Sequence, residues 1–510
     1  MRKSGILMPV ASLPSPYGIG CFSKEAYEFV DCLKESDQSY WQILPLGPTG
    51  YGDSPYQSFS TFAGNPYFID PEDLIERGYI TKEQCDAYDF GDNEMYVNYE
   101  KIYNSRFRLL REAFDNSNIT EDEEFCAFVR ENEWWLADYA LYMAIKVNAG
   151  NVCWAEWDED IRLRKSEAMA AYREKYADEI VFYQFQQYLF RVQWRKLKEY
   201  ANRQGIQIIG DIPIYVAFDS SDAWANPELF QFDENCMPTA VAGCPPDAFS
   251  ATGQLWGNPL YRWDYHKKTG FEWWMKRIAA CYELYDVVRI DHFRGFDEYY
   301  SIPYGSETAQ TGHWEKGPGL ELFRTMQDKL GEKSIIAEDL GFMTPSVVEL
   351  VQNCGYPGMK VLQFAFDSRE DSDYLPHNYP VNSVVYTGTH DNETTFGWYK
   401  GLPETDRGFC DLYLNLPRLH DEEAIAAEEV SDEAAVDATR GMIRAALGSV
   451  AKLAIIPMQD YLELDNRARI NHPSTLGGIN WQWRIQRGAF SRKVQEKIAM
   501  YTRLYARGRS

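Results

Sequence analysis

Eight short apolar runs that end in polar or charged residues punctuate the chain, at residues 6–13, 40–46, 207–216, 287–293, 334–340, 359–366, 383–391 and 453–461. Their Val, Ile and Leu content is near-continuous rather than alternating, which predicts strands buried on both faces, as in a parallel sheet. Helical periodicity fills the spaces between them. Residues 184–204 carry Phe185, Leu189, Val192 and Leu197 among Arg and Lys, and 320–330 carry a similar stripe, the pattern of helices with one buried face. Eight strands alternating with helices predict an α/β fold of the (β/α)8 TIM-barrel type rather than a doubly wound sheet.

The spacing of the runs places the excess length. The fifth, sixth and seventh start about 25 residues apart, which is one βα repeat. About 160 residues separate the second run from the third, and about 70 lie between the third and fourth and between the seventh and eighth. The prediction is a single catalytic barrel over residues 1–510 with three insertions in βα loops. Residues 51–190, rich in Trp and Tyr, read as a mostly helical subdomain, and 397–445 as a helical insertion. Residues 217–285 read as a covering loop and subdomain, with turn chemistry in Gly243-Cys-Pro-Pro-Asp247 and around Gly253 and Gly257. Only about 50 residues follow the eighth run, enough for closing helices but not for a C-terminal β-sandwich. The acidic, Ala-rich stretch 421–437 reads as a solvated helix face.

Charge changes the picture of the ligand. With 51 Lys+Arg against 77 Asp+Glu the formal charge is −26, which argues against a nucleic-acid partner, because affinity for polyphosphate comes mainly from Lys and Arg. A neutral substrate needs no steering field and remains compatible. The ten cysteines form no C-x-x-C pair, so reduced thiols in a cytoplasmic protein are expected. The seven histidines show no pair at helical metal-ligand spacing, and neither a metal nor another cofactor is predicted. Pro9 interrupts the apolar start, which therefore reads as a first strand and not as a leader. No run approaches the roughly 18 apolar residues that span a bilayer, so a soluble protein without a membrane partner is expected.

In a TIM barrel the reactive groups sit at the C-terminal ends of strands. Polar residues at those ends are Asp211 after the third run, Arg289, Asp291 and His292 after the fourth, Glu338 and Asp339 after the fifth, and His390 and Asp391 after the seventh. Carboxylates from three strands converging on one bowl fit glycoside chemistry: one attacks the anomeric carbon, a second protonates the leaving oxygen, and the site stabilises an oxocarbenium-like transition state. Each also has a structural reading. Asp291 lies between Arg289 and Arg294 and is placed for a salt bridge, Glu338 and Asp339 for a helix cap, and His390-Asp391-Asn392 for an Asx turn.

The chain resembles the amylomaltases, the 4-α-glucanotransferases of the wider α-amylase superfamily. The likeness runs nearly end to end, through Gly5-Ile-Leu-Met-Pro-Val-Ala-Ser-Leu-Pro14, Trp41-Gln-Ile-Leu-Pro-Leu-Gly-Pro48, Asp53-Ser-Pro-Tyr-Gln-Ser58, Asp211-Ile-Pro-Ile-Tyr-Val216, Arg289-Ile-Asp-His-Phe-Arg294, Ile336-Ala-Glu-Asp-Leu-Gly341 and Thr389-His-Asp-Asn392. The resemblance implies Asp291 as nucleophile, Glu338 as general acid/base and Asp391 as a third catalytic carboxylate. It implies substrate-binding roles for Ser54, Tyr56, Asp211, Asp247, Trp256, Arg289, His390 and Asn471, and a remote glucan site at Tyr51. Maltooligosaccharides and other α-1,4-glucans would be donor and acceptor. Two departures stand out: Asp211-Ile-Pro replaces the Asn-His pair of calcium-binding amylases, and Ala248 stands where an aromatic is common. An α-glucan hydrolase using the same carboxylates is the alternative reading, and a non-catalytic glucan-binding protein is a third.

Overall fold

A computed structural model describes residues 2–50, 52–246, 250–341, 343–417 and 430–509. Eight parallel strands close a barrel: β1 (Lys3–Leu7), β2 (Tyr40–Gln42), β3 (Gln207–Pro213), β6 (Val287–Asp291), β9 (Ile335–Ala337), β10 (Gly358–Val361), β11 (Ser383–Tyr386) and β12 (Leu453–Pro457). Apart from four strands that lie elsewhere, neighbours in the barrel are neighbours along the chain, and β12 pairs with β1 to shut the ring. All eight coincide with the predicted runs, but each stops short of its run's end. The trailing apolar residues bend over the barrel mouth instead, as in the short 3-10 turns Val10–Ser12 and Leu362–Phe364 and the helical turn Met458–Tyr461. Pro213 and Pro457 are the last residues of their strands, where the missing N–H costs no ladder bond.

The barrel is packed to the level of single atoms where the site is built. A Cβ on Gly210, beside Asp211, would come within 2.1 Å of the Tyr285 ring, so only glycine lets that ring seat against β3. Between β2 and β3 the chain forms helices, among them Tyr99–Asp115, Glu133–Asn148 and the 27-residue Ala177–Arg203, whose buried face includes Phe185, Leu189, Val192 and Leu197. The predicted stripe at 320–330 is the helix Leu320–Leu330. Helices Thr395–Gly401, Glu404–Leu414 and Asp432–Gly448 lie between β11 and β12. Residues 421–429 of the acidic stretch fall outside the described residues, and its remainder opens the helix Asp432–Gly448, capped by Ser431.

A second sheet was not assigned from sequence. β4 (Ala240–Cys244) and β5 (Gln254–Pro259) pair with β7 (Glu298–Pro303) and β8 (His313–Lys316) in the antiparallel order β5-β4-β7-β8. It joins the β3–β6 connection to the β6–β9 connection, and so fixes the segment that carries Trp256 beside the residues following Asp291. No helix among the described residues is long and apolar enough to cross a membrane.

Candidate active site

Strand register brings the first charged residues together. Asp211 on β3 faces Arg289 on β6, and Pro213 faces Asp291. Arg289 and Asp291 are two apart on one strand and therefore project from the same face. The Arg289 guanidinium bridges the two acids, with Nη1 donating to both oxygens of Asp211 at 2.9 and 2.7 Å and Nη2 pairing with Asp291 Oδ1 at 2.9 Å. Asp211 is fully buried, whereas the Asp291 side chain is 32% exposed at the mouth. Burial works against the Arg289 charge, but the two acids more than offset it and hold its pKa well above the ordinary value. The salt-bridge reading of Asp291 is thus satisfied by Arg289, and the bridge leaves its carboxylate partly open.

Glu338 is the residue after β9, whose last residue Ala337 is level with Ile290. Its carboxylate accepts backbone N–H bonds from His292 at 2.7 Å and from Leu340 at 2.9 Å. The next helix begins at Pro345 with Thr344 as its N-cap, so Glu338 caps no helix; Asp339 turns away and accepts from the Met359 N–H at 2.6 Å. Burial, then the Asp291 charge, push the Glu338 carboxyl up to about 7, against the pull of Arg289 and the two amide bonds. Two carboxyls thus sit at adjacent strand ends in different settings: one beside a guanidinium, the other in an environment that favours its protonated form.

A third group closes the opposite wall. Asp391 accepts a 2.6 Å bond from the Asn471 amide, and His390 Nε2 lies 3.4 Å from its other oxygen. Burial alone would raise the Asp391 pKa, but His390 and Asn471 hold it far below the ordinary carboxylate range. Burial alone would lower the His390 pKa, but Asp391 lifts it above 6.5. In place of the predicted Asx turn, the Thr389 hydroxyl accepts from the Asp391 N–H at 3.3 Å, and Asn392 Oδ1 accepts from the Thr389 N–H and hydroxyl at 2.8 Å each; these bonds hold the bend that carries Asp391. Tyr56 ties this wall to the first by donating to Asp211 at 2.9 Å and stacking on His390, with ring centroids 5.1 Å apart. The Ser54 hydroxyl accepts from the Tyr56 N–H at 3.3 Å.

Trp256 meets the His292 ring edge-on at 4.8 Å, one residue from Asp291. His292 itself adopts a left-handed backbone at φ 54, which turns its N–H toward Glu338. Tyr51 and Asp247 lie outside the described residues, as does Ala248. Three participants escaped the sequence reading. Trp481 packs 5.9 Å from Tyr56 and 6.1 Å from His390, Arg469 donates to the Asp391 carbonyl at 2.8 Å, and Tyr215 lies 6.4 Å from Trp256. Trp481 and Arg469 arrive from the segment after β12, where no strand end announces them; Tyr215 sits inside the motif beginning at Asp211 and carried a signal that was read only as strand.

Comparison with known proteins places the chain in a family. The family model described as 4-alpha-glucanotransferase matches residues 8–490. A 4-alpha-glucanotransferase of Streptococcus pneumoniae is 49% identical over 509 residues, covering 99% of this chain and 97% of the relative, and one of Clostridium butyricum is 47% identical over 501 residues, covering 98% and 100%. The solved structure of amylomaltase from Streptococcus agalactiae in complex with acarbose superposes with a TM-score of 0.93 at 42% identity, covering 100% of both chains. With its barrel, its three converging carboxyls and these relatives along nearly its whole length, the chain belongs to the 4-alpha-glucanotransferase family, and it is an enzyme of that activity.

Proposed function

We propose that the reaction is a retaining double displacement on α-1,4-glucans. Asp291 attacks the anomeric carbon of the donor, and the bond to the leaving 4-oxygen breaks as Glu338 delivers its proton to that oxygen. A covalent glycosyl-aspartate results. Glu338, now ionised, takes the proton from the 4-hydroxyl of glucose or a second glucan, whose oxygen displaces Asp291 and restores an α-1,4 bond. Arg289 pairs with Asp291 and orients it. Asp391, His390 and Asn471 take hydroxyls of the distorted sugar, Tyr56, Ser54 and Asp211 brace the same subsite, and Trp256 with Asp247 covers the cleft and favours an acceptor sugar over water.

The observation that carries this reading is the unequal setting of two neighbouring carboxyls: Asp291 paired with Arg289 at 2.9 Å, and Glu338 pushed up to about 7. One is suited to act as an anion and the other as an acid, which is the division of labour the mechanism needs. A carboxyl separation of ~5–5.5 Å in a substrate complex belongs to the same proposal. So do a single barrel carrying the insertions 51–190, 217–285 and 397–445, a remote glucan site at Tyr51, and a cytoplasmic location, expected from the scattered cysteines. Acarbose, bound by the Streptococcus agalactiae amylomaltase, is expected to compete with the donor here. Trapping tests the mechanism: Glu338→Gln incubated with a maltosyl fluoride donor should yield a sugar adduct on the peptide containing Asp291. An adduct elsewhere, or none while the donor is consumed, would overturn it.

A further inference from the structure

The loop that carries Ser54 and Tyr56 runs on to Phe62, on the outer side of the barrel wall. There the Phe62 ring meets Trp134 at 4.8 Å and 76°. Trp134 opens the helix Glu133–Asn148 and, at 46% exposure, is the most exposed of the chain's 15 tryptophans. Two cavities, of about 200 and about 590 Å³, share Phe62, Trp134 and Trp135 in their walls. The first is also lined by Trp273, Asp138, Asn226 and Glu228. Trp273 is 8% exposed and its buried indole N–H has no acceptor. Lys276 lies 5.7 Å over the Trp134 ring and is tethered to Glu272 at 2.8 Å.

An exposed indole beside carboxylates and an amide is suited to a neutral polyhydroxylated ligand: the ring covers the C–H face of a sugar while the acids and amide take its hydroxyls. The acidic lining disfavours a phosphate or a nucleic acid, which would need surplus Lys and Arg. A polymeric substrate is long enough to occupy this surface and the barrel mouth as separate sites. We propose that the cavity pair around Trp134 is a further α-1,4-glucan-binding site, in addition to the active site and the remote site proposed at Tyr51, which holds a segment of a long chain outside the active site and raises the local concentration of chain ends at the barrel. The proposal rests on the reading that this enzyme acts on α-1,4-glucans.

Native gel electrophoresis through soluble amylose tests it, with Glu338→Gln as background so that the gel matrix is not remodelled. Adding Trp134→Ala should weaken the apparent affinity for amylose roughly tenfold, the loss of one aromatic contact, and Trp134→Phe should restore most of it. In the otherwise wild-type enzyme Trp134→Ala should leave the rate on maltotriose unchanged, because a trisaccharide cannot bridge the two sites. Unaltered retardation of Trp134→Ala overturns the proposal. So does loss of its maltotriose activity, which would assign the ring to the active site or the fold. Failure of the underlying reading shows separately, as a wild-type enzyme that makes no product from maltotriose.

Discussion

Replacing Glu338 by Gln separates what this carboxyl does for chemistry from what it costs the fold. Burial first and Asp291 second raise it from 4.5 to about 7. Between those values the folded protein keeps a proton that the unfolded chain has lost, so stability falls as pH rises through that window and levels off above it. The full difference corresponds to about 3 kcal/mol. Gln does not titrate. Its amide N–H2 must also face one of the two backbone N–H groups that Glu338 accepts from, an unpaired donor costing about 1–3 kcal/mol at every pH. The expected result is a Gln variant that gains on wild type by about 3 kcal/mol between about pH 4.5 and 7.5 and holds a constant difference beyond. Thermal unfolding of both proteins across that range reads it, since the titrations of groups that do not interact with Glu338 cancel in the difference. The same proton sets the rate. Above about pH 7 the wild-type kcat/KM should fall about tenfold per pH unit as the acid form is lost, and Gln should reduce it roughly 10²–10⁴-fold. A wild-type-minus-variant stability that does not change with pH, together with a flat rate profile up to about pH 9, would refute the assignment of an elevated acid at Glu338.

Asp291→Ala should abolish transfer while leaving the unfolding temperature within a few degrees of wild type, measured by product analysis beside calorimetry; substantial turnover would remove it as nucleophile. Tyr56→Phe deletes the 2.9 Å bond to buried Asp211 but leaves Arg289 in place, so a loss of about 1.5–3 kcal/mol is expected in kcat/KM, the range for a bond to a charged group. Asn471→Ala removes a donor that holds the Asp391 pKa down; the acid limb of kcat/KM should move to higher pH, and an unmoved limb would show that Asn471 binds only sugar. Chelators should leave activity intact, as the Asp211-Ile-Pro form of the third strand predicts, and strong inhibition would reopen the question of a metal.

The barrel was legible because its strands are buried on both faces, and a continuous Val/Ile/Leu run of four or more residues has few other homes. Strand ends were overestimated for the same reason: the mouth of the barrel is itself buried by connections, so residues such as Val10, Leu362 and Met458 are apolar without being extended. The second sheet left no such trace. β8 is His-Trp-Glu-Lys, with two exposed positions and two partly buried ones, and β5 alternates exposed and partly buried residues before its buried end; its stability comes from pairing across distant connections, which periodicity does not record. At the site, Asp211, Arg289, Asp291, Glu338, His390 and Asp391 were legible because a parallel strand delivers its C-terminal residues to one rim. Trp481 and Arg469 were not, because irregular chain after β12 carries them there, and His292 stood out as a polar side chain at a strand end although it is its backbone N–H that bonds Glu338.

The most direct test of the central claim is to incubate the purified enzyme with maltotriose and resolve the products while counting reducing ends. Transfer through a glycosyl-enzyme that waits for a sugar acceptor predicts glucose together with maltotetraose and longer maltooligosaccharides, at a constant number of reducing ends. Reducing ends that rise in step with consumption, with no product longer than maltotriose, would contradict it.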